Sequence, residues 1–141
     1  MNQLPIFENK WQTAVETPFV LLCGGVLYYA TEVLARGYSH WTMAVCGAIC
    51  FHFLYRLCRK HPRLPLPLRA LAGGVFITVT ELFAGCLLNL ALGLQIWDYS
   101  DLPFHFLGQI CLSYSIGWFL LSFLLCGLSR LIRRAVFYAE R

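Results

Sequence analysis

Glu32 and Glu81 are the charged residues that lie deep inside otherwise charge-free apolar runs. A carboxylate in hydrocarbon is costly unless it is paired, hydrated or protonated. Each glutamate follows a glycine by seven residues, Gly25 before Glu32 and Gly74 before Glu81. Seven residues are about two helical turns, so glycine and glutamate share one face. Glycine lets a second helix approach that face closely. Gly85 and Asn89 extend the second stripe, and a run of Gly108, Cys111, Ser115 and Ser122 is its natural partner. The chemistry on offer is non-covalent. It is a polar path for a cation or a proton, with Glu32, Glu81, Asn89, Gln109 and Ser115 as lining and Gly25, Gly74, Gly85 and Gly108 as packing points. A polar clasp, with each glutamate hydrogen-bonded to the opposite half of the chain, fits the same residues. Arg36, one turn after Glu32, favours the clasp there and leaves Glu81 the sharper candidate.

A second cluster is the segment QIWDYSDLPFHF, with Trp97, Asp98, Tyr99, Asp101 and His105 within nine residues. It reads either as an outer gate or as a plain loop. In the plain reading Asp98 or Ser100 caps the following helix, and Trp97 and Tyr99 sit at the membrane interface. No nucleophile elbow, zinc-binding His pair or Gly-rich phosphate loop is present, and neither Lys10 nor Lys60 follows a glycine. The expectation is a protein that is no enzyme and holds no metal or cofactor. Any ATP hydrolysis would come from another chain. The seven cysteines lack C-x-x-C spacing and read as small apolar residues.

The elements that position these residues follow from composition. Of 141 residues, 59% are hydrophobic and only 13% charged, too few polar groups to cover a soluble domain of this size. That excludes an ordinary cytosolic domain and a nucleic-acid-binding module and leaves a multi-pass membrane protein. Continuous apolar runs argue for helices rather than alternating strands. Spans are expected near 16–35, 41–57, 69–93 and 105–129. No signal peptide is expected, and the leader reads as interfacial, with Phe7 and Trp11 at headgroup level. The leader, the loop over 58–68 with its flanks and the tail from 130 to 141 carry ten of the eleven Lys and Arg residues; the two outer loops carry only Arg36. That bias puts both termini and the middle loop on the cytoplasmic side of the cell membrane. The same basic loop suits anionic lipid headgroups.

The chain also repeats itself. GGVLYYATEVLA at 24–35 matches GGVFITVTELFA at 73–84 in six of twelve positions. Tyr38-Ser39 matches Tyr99-Ser100, and Gly47–Cys50 matches Gly108–Cys111, both 61 positions apart rather than 49. The expectation is an all-α membrane protein of four transmembrane helices. It is built as two tandem two-helix repeats in parallel orientation, about 16–58 and 69–129. The second repeat carries 12 extra residues in its outer loop.

T-E-L-F-A-G-C-L-L-N from Thr80 to Asn89, W-D-Y-S-D-L-P from Trp97 to Pro103, G-Q-I-C-L from Gly108 to Leu112, and Trp118 resemble the signature of the bacterial type IV ABC-transporter-like membrane family, the CmpB-like proteins. The similarity runs over roughly residues 20 to 130. The family's motif falls on Glu81, Gly85, Trp97, Asp98, Tyr99, Pro103, Gly108 and Gln109. What the resemblance implies is an integral membrane protein of the permease kind. Taken with the residues, it suggests a small transporter-like subunit for a cation, a proton-coupled or a small polar substrate. A homo-oligomer is expected, because four short helices enclose little volume, and so is an ATPase subunit on a separate chain. A non-transporting scaffold that docks a partner through the same glycine stripes is the alternative.

Overall fold

The computed structural model describes residues 10–137. Four helices, α1 (Lys10–Arg36), α2 (Trp41–Lys60), α3 (Leu66–Gly85) and α4 (Leu112–Ile132), make up most of it. Each is long and apolar enough to cross a membrane, as the sequence predicts. At 1.5 Å per residue, the 20 residues of α2 reach about 30 Å, one hydrocarbon thickness. Phe7 and the side chain of Trp11, expected at headgroup level, lie outside the described residues. α1 begins at Lys10, before the expected start, and continues through Pro18, which has no N–H to give the preceding turn. His40 caps α2, its ring Nδ1 accepting from the Thr42 amide. Pro65 precedes α3, where a residue without an N–H costs nothing.

α1 packs on α2 and α3 on α4, with α2 also touching both α3 and α4. α1 makes little close backbone approach to α3 or α4. Two apolar clusters tie the ends together. Val20, Phe51, Tyr55 and Ile132 form one, and Met43, Ala84, Leu88 and Ile96 the other. Small residues allow the two helix pairs to close. A methyl on Gly24 would lie 2.7 Å from the Phe51 side chain and 3.2 Å from Ala48; one on Gly73 would lie 2.7 Å from Ser122, and one on Gly74 2.8 Å from Phe119. The glycines stand 49 positions apart, whereas their partners (Ala48 and Phe119, Phe51 and Ser122) stand 71 apart, as do the first residues of α2 and α4.

That register corrects part of the sequence reading. Gly47–Cys50 is helical, whereas Gly108–Cys111 lies in a connection and a short strand. The two four-residue matches therefore do not occupy equivalent places. The second outer connection is also longer than expected. α4 starts at Leu112, not near 105, so Gly108 and Cys111 precede the helix expected to carry them. α3 instead runs on as a π-helical turn, Cys86–Ala91, whose wider winding carries Asn89 under the loop. The expectation of no strands also fails at one point. His105–Phe106 pairs antiparallel with Ile110–Cys111. A two-residue ladder is too short to leave an alternating pattern in the sequence.

Charge separates along the bundle. The α2–α3 connection and the ends of α1 and α4 meet at one end, where Phe19 packs edge-on against Phe137 at 5.5 Å. Arg56, Arg59, Lys60, Arg63, Arg69, Arg130, Arg133 and Arg134 belong to that end, and among the described residues Arg36 alone to the other.

The candidate site, an acidic cavity walled by aromatic rings

Glu32 and Glu81 line one cavity of about 400 Å³ between the helices. The first half of the bundle supplies Glu32 and Tyr28 from α1 and Cys46 and Cys50 from α2. The second half supplies Glu81 and Thr80 from α3 and Tyr114 and Trp118 from α4, and the outer loop adds Trp97 and Tyr99. Its volume falls within the range of small-molecule sites. Leu27, Thr31 and Tyr114 line it and are also exposed, so the cavity opens on the side where α1 and α4 part.

The two carboxylates have different partners. Glu32 pairs with Arg36 at 3.0 Å, accepts from Ser39 Oγ at 2.6 Å, and has the Tyr28 hydroxyl at 3.4 Å. Arg36 also donates to the Ile96 carbonyl at 3.3 Å, joining the first half to the outer loop of the second. Glu81 accepts from the Tyr99 hydroxyl at 2.7 Å through one oxygen and from the Trp118 indole N–H at 3.0 Å through the other. No ion pair to Glu81 occurs among the described residues. The clasp as read from sequence is thus corrected. Each glutamate is bonded within its own half, not by the opposite one. The shared face of glycine and glutamate does hold, since Gly74 abuts Phe119 of α4 and Glu81 reaches Trp118 one residue earlier.

Three of the expected path residues lie elsewhere. Asn89 and Gln109 are buried but hold the outer loop. Asn89 accepts from the Ile96 amide at 2.7 Å and donates to the Trp97 carbonyl at 3.0 Å and to Gln109 Oε1 at 2.8 Å. Gln109 donates to the Leu107 carbonyl at 3.1 Å, and its own carbonyl accepts from the Trp97 indole at 3.0 Å. Ser115 accepts from Thr78 at 3.2 Å on a separate groove between α3 and α4.

The gate candidates divide as well. Trp97 and Tyr99 reach the cavity, and Tyr99 stacks on Tyr114 at 4.7 Å. Burial and the neighbouring Glu81 push the Tyr99 phenol well above its usual range, so it stays a proton donor to the carboxylate. Asp98, Asp101 and His105 are exposed. Asp98 does not cap α4, and neither does Ser100. The Asp98 carboxylate accepts from the Ser100 hydroxyl at 2.5 Å and amide at 2.9 Å, which holds it below the usual range. His105 Nδ1 accepts from the Gly108 amide at 3.1 Å.

Gly85 packs under Gln109, and Gly108 turns the loop with φ at +68°. A methyl on Gly108 would meet Ser100 Oγ at 2.5 Å and Asp98 Oδ1 at 2.7 Å. Gly108→Ala should therefore destabilise the loop by about 1–3 kcal/mol. Chemical unfolding of the purified variant in micelles measures it. An unchanged midpoint would contradict the required conformation.

One residue escaped the sequence reading. Glu16 stands at the very start of the first expected span and is not singled out there, yet it lies well inside α1 and is only 2% exposed. Tyr55 donates to one oxygen, and Arg59 pairs with the other at 2.5 Å. The signal available was an i, i+4 pair, Tyr55 and Arg59, on the basic end of span 2.

Four membrane-length helices around an acidic, aromatic-walled cavity define a small multi-pass membrane protein. The family model described as "Putative ABC-transporter type IV" (ABC_trans_CmpB) matches residues 41–139, and the chain belongs to that family. The match takes in α2 to α4 and the outer loop, hence Glu81, Tyr99 and Trp118, and stops short of Glu32 on α1. No curated protein and no solved structure matches the chain.

Proposed function

We propose that the protein is a permease-like subunit that binds a cationic or protonated small substrate at the cavity between Glu32 and Glu81. The observation that carries this reading is the imbalance inside one cavity. Two carboxylates line it, and the one cation paired with either of them, Arg36, is engaged with Glu32. Glu81 has two hydrogen-bond donors but no countercharge among the described residues. An intramembrane carboxylate of this kind marks a substrate or proton path. The protein works as a homo-oligomer, with an ATPase subunit on another chain as partner, in keeping with the family's description. The two halves act as tandem repeats related by an axis along the membrane normal.

The test is flux into proteoliposomes across a panel of inorganic cations, amines and protons. Glu81→Gln keeps the shape and the acceptor for Trp118 or Tyr99 but cannot ionise. Flux should fall at least tenfold while the variant elutes as the parent does. Undiminished flux, or none from the parent with any cation, would remove the reading. A purely structural Glu81 has its own support, since both oxygens are already bonded. In that case the variant loses stability and the parent carries nothing.

In the membrane the basic end faces the cytoplasm, because Lys and Arg are retained there. Arg63 is exposed in the α2–α3 connection. Arg63→Cys, in a background without the native cysteines, should react with an impermeant maleimide only after cells are opened. Labelling in intact cells would invert the topology.

A further inference from the structure

We infer that the cavity takes a lipophilic organic cation, of the quaternary ammonium or phosphonium kind, and that it enters sideways between α1 and α4. This rests on the permease reading for its site but not for its chemistry. The first observation is what the cavity presents to a ligand. The Glu81 oxygens already accept from an indole and a phenol. The Glu32 oxygens accept from a guanidinium and a hydroxyl. Glu32 Oε1 takes the Tyr28 hydroxyl as well as Arg36, so the site offers no ring of free oxygens of the sort that strips water from a metal ion. It offers uncompensated negative charge and aromatic surface. Tyr28 and Trp118 stand 6.2 Å apart and tilted, Tyr114 and Trp118 6.3 Å apart, and all three line the cavity with Tyr99. A cation within about 6 Å of such rings is attracted by their negative faces, most strongly when both are dry. A cation without N–H groups loses nothing by finding the carboxylate oxygens already bonded. It needs the charge and the rings alone.

The second observation concerns the walls and the opening. Arg36 also lines the cavity, held on Glu32, but Leu27, Met43, Phe51, Ile77, Leu121 and Leu125 make most of the remaining surface hydrocarbon. A small hydrated ion gains nothing from it, whereas apolar substituents on a cation gain about 25 cal/mol per Å² buried. The opening lies between α1 and α4, where the two helices make little close approach, and Leu27 and Tyr114 there are each 46% exposed. Both helices are membrane-length. Above the opening Arg36 ties α1 to the outer loop, and below it Phe19 packs on Phe137. The path left is lateral, from the acyl region, where lipophilic cations concentrate.

The experiment is equilibrium binding of tetraphenylphosphonium to the full chain in lipid nanodiscs. Triphenylphosphine oxide serves as a neutral probe of similar shape and tetramethylammonium as a small hydrophilic one. Empty nanodiscs give the partition background. The expected result is saturable tetraphenylphosphonium binding at one site, at least tenfold tighter than either comparison probe. Glu81→Gln should weaken it tenfold or more, and Tyr28→Leu should weaken it several-fold without touching Glu81, whose partners are Tyr99 and Trp118. If Glu81→Gln fails to fold, Tyr28→Leu and the neutral probe carry the test. Equal binding of the neutral probe would overturn the inference, leaving a merely apolar slot. So would flux of an inorganic cation that needs Glu81 when tetraphenylphosphonium shows no saturable binding, and in that case the permease reading survives. Saturable, Glu81-dependent binding with no flux of any cation would keep the inference and sink the permease reading.

Discussion

Replacing Arg59 by methionine should cost about 3–5 kcal/mol, the largest single-residue loss expected outside the cavity. Glu16 lies two turns into α1 and is almost wholly buried. Its carboxylate sits between the Tyr55 hydroxyl and the Arg59 guanidinium, both from α2. α1 touches the rest of the bundle mostly through α2, so this cluster pins its lower half. Methionine matches the length of the arginine stem and its packing but removes the charge. The carboxylate is then left buried and uncompensated, and that, more than the lost attraction, is what costs. Adding Glu16→Gln to Arg59→Met should return more than half of the loss, because the amide still bonds Tyr55 and carries no charge. Unfolding of the single and double variants in mixed micelles measures this as a coupling. If Arg59→Met alone shifts stability by less than 1 kcal/mol, the pair is solvated and not a structural pin.

How far the sequence reached is best seen in these two acidic places. Glu32 and Glu81 were legible because a charge inside an apolar run has few explanations. Their common cavity followed from matching positions in two similar segments. Glu16 was hidden by its neighbours. It sits among Gln12, Thr13 and Thr17, a composition typical of an interface, and only the helix that starts at Lys10 turns it inward. The four spans were legible from length and apolarity alone, since a bilayer leaves little choice. The start of the last one was not. Pro103, Phe104, His105 and Phe106 look like the first turn of a membrane helix. Phe104 and Leu107 instead take left-handed backbone, φ 55° and 54°, and the chain folds into a short hairpin. Nothing in an apolar run announces that conformation. It goes with the hydrogen bonds of Asn89, which reaches Ile96, Trp97 and, twenty positions on, Gln109.

Those bonds make the second large prediction. Asn89→Ala should release the outer loop and with it one wall of the cavity. The Asn89 side chain meets three groups, the Ile96 amide, the Trp97 carbonyl and Gln109 Oε1. Alanine leaves all three without that partner, and each buried orphan costs about 1–3 kcal/mol. The loop also holds Gln95, Phe104 and Leu107 at positive φ. Such backbone costs about 1–3 kcal/mol per residue and persists only where surrounding contacts over-determine it. Removing the contact therefore releases strain in the direction of unfolding. The expected result is a loss of about 3 kcal/mol or more in local stability, read as faster amide exchange at Ile96, Tyr99 and Gln109, with the helices still protected. Tyr99 belongs to this loop and donates to Glu81, so cation binding at the cavity should weaken in the same variant. Asn89→Asp is the sharper comparison. It keeps an acceptor for the Ile96 amide, loses both donors and adds a charge beside Gln109 Oε1. Its loop should exchange nearly as fast as that of the alanine variant. If both variants keep parental exchange at Ile96 and Gln109, the loop is held by its own turns and Asn89 is not its clasp. If exchange is unchanged while flux falls, Asn89 acts on the substrate path itself, and its place beneath the loop is incidental to that role.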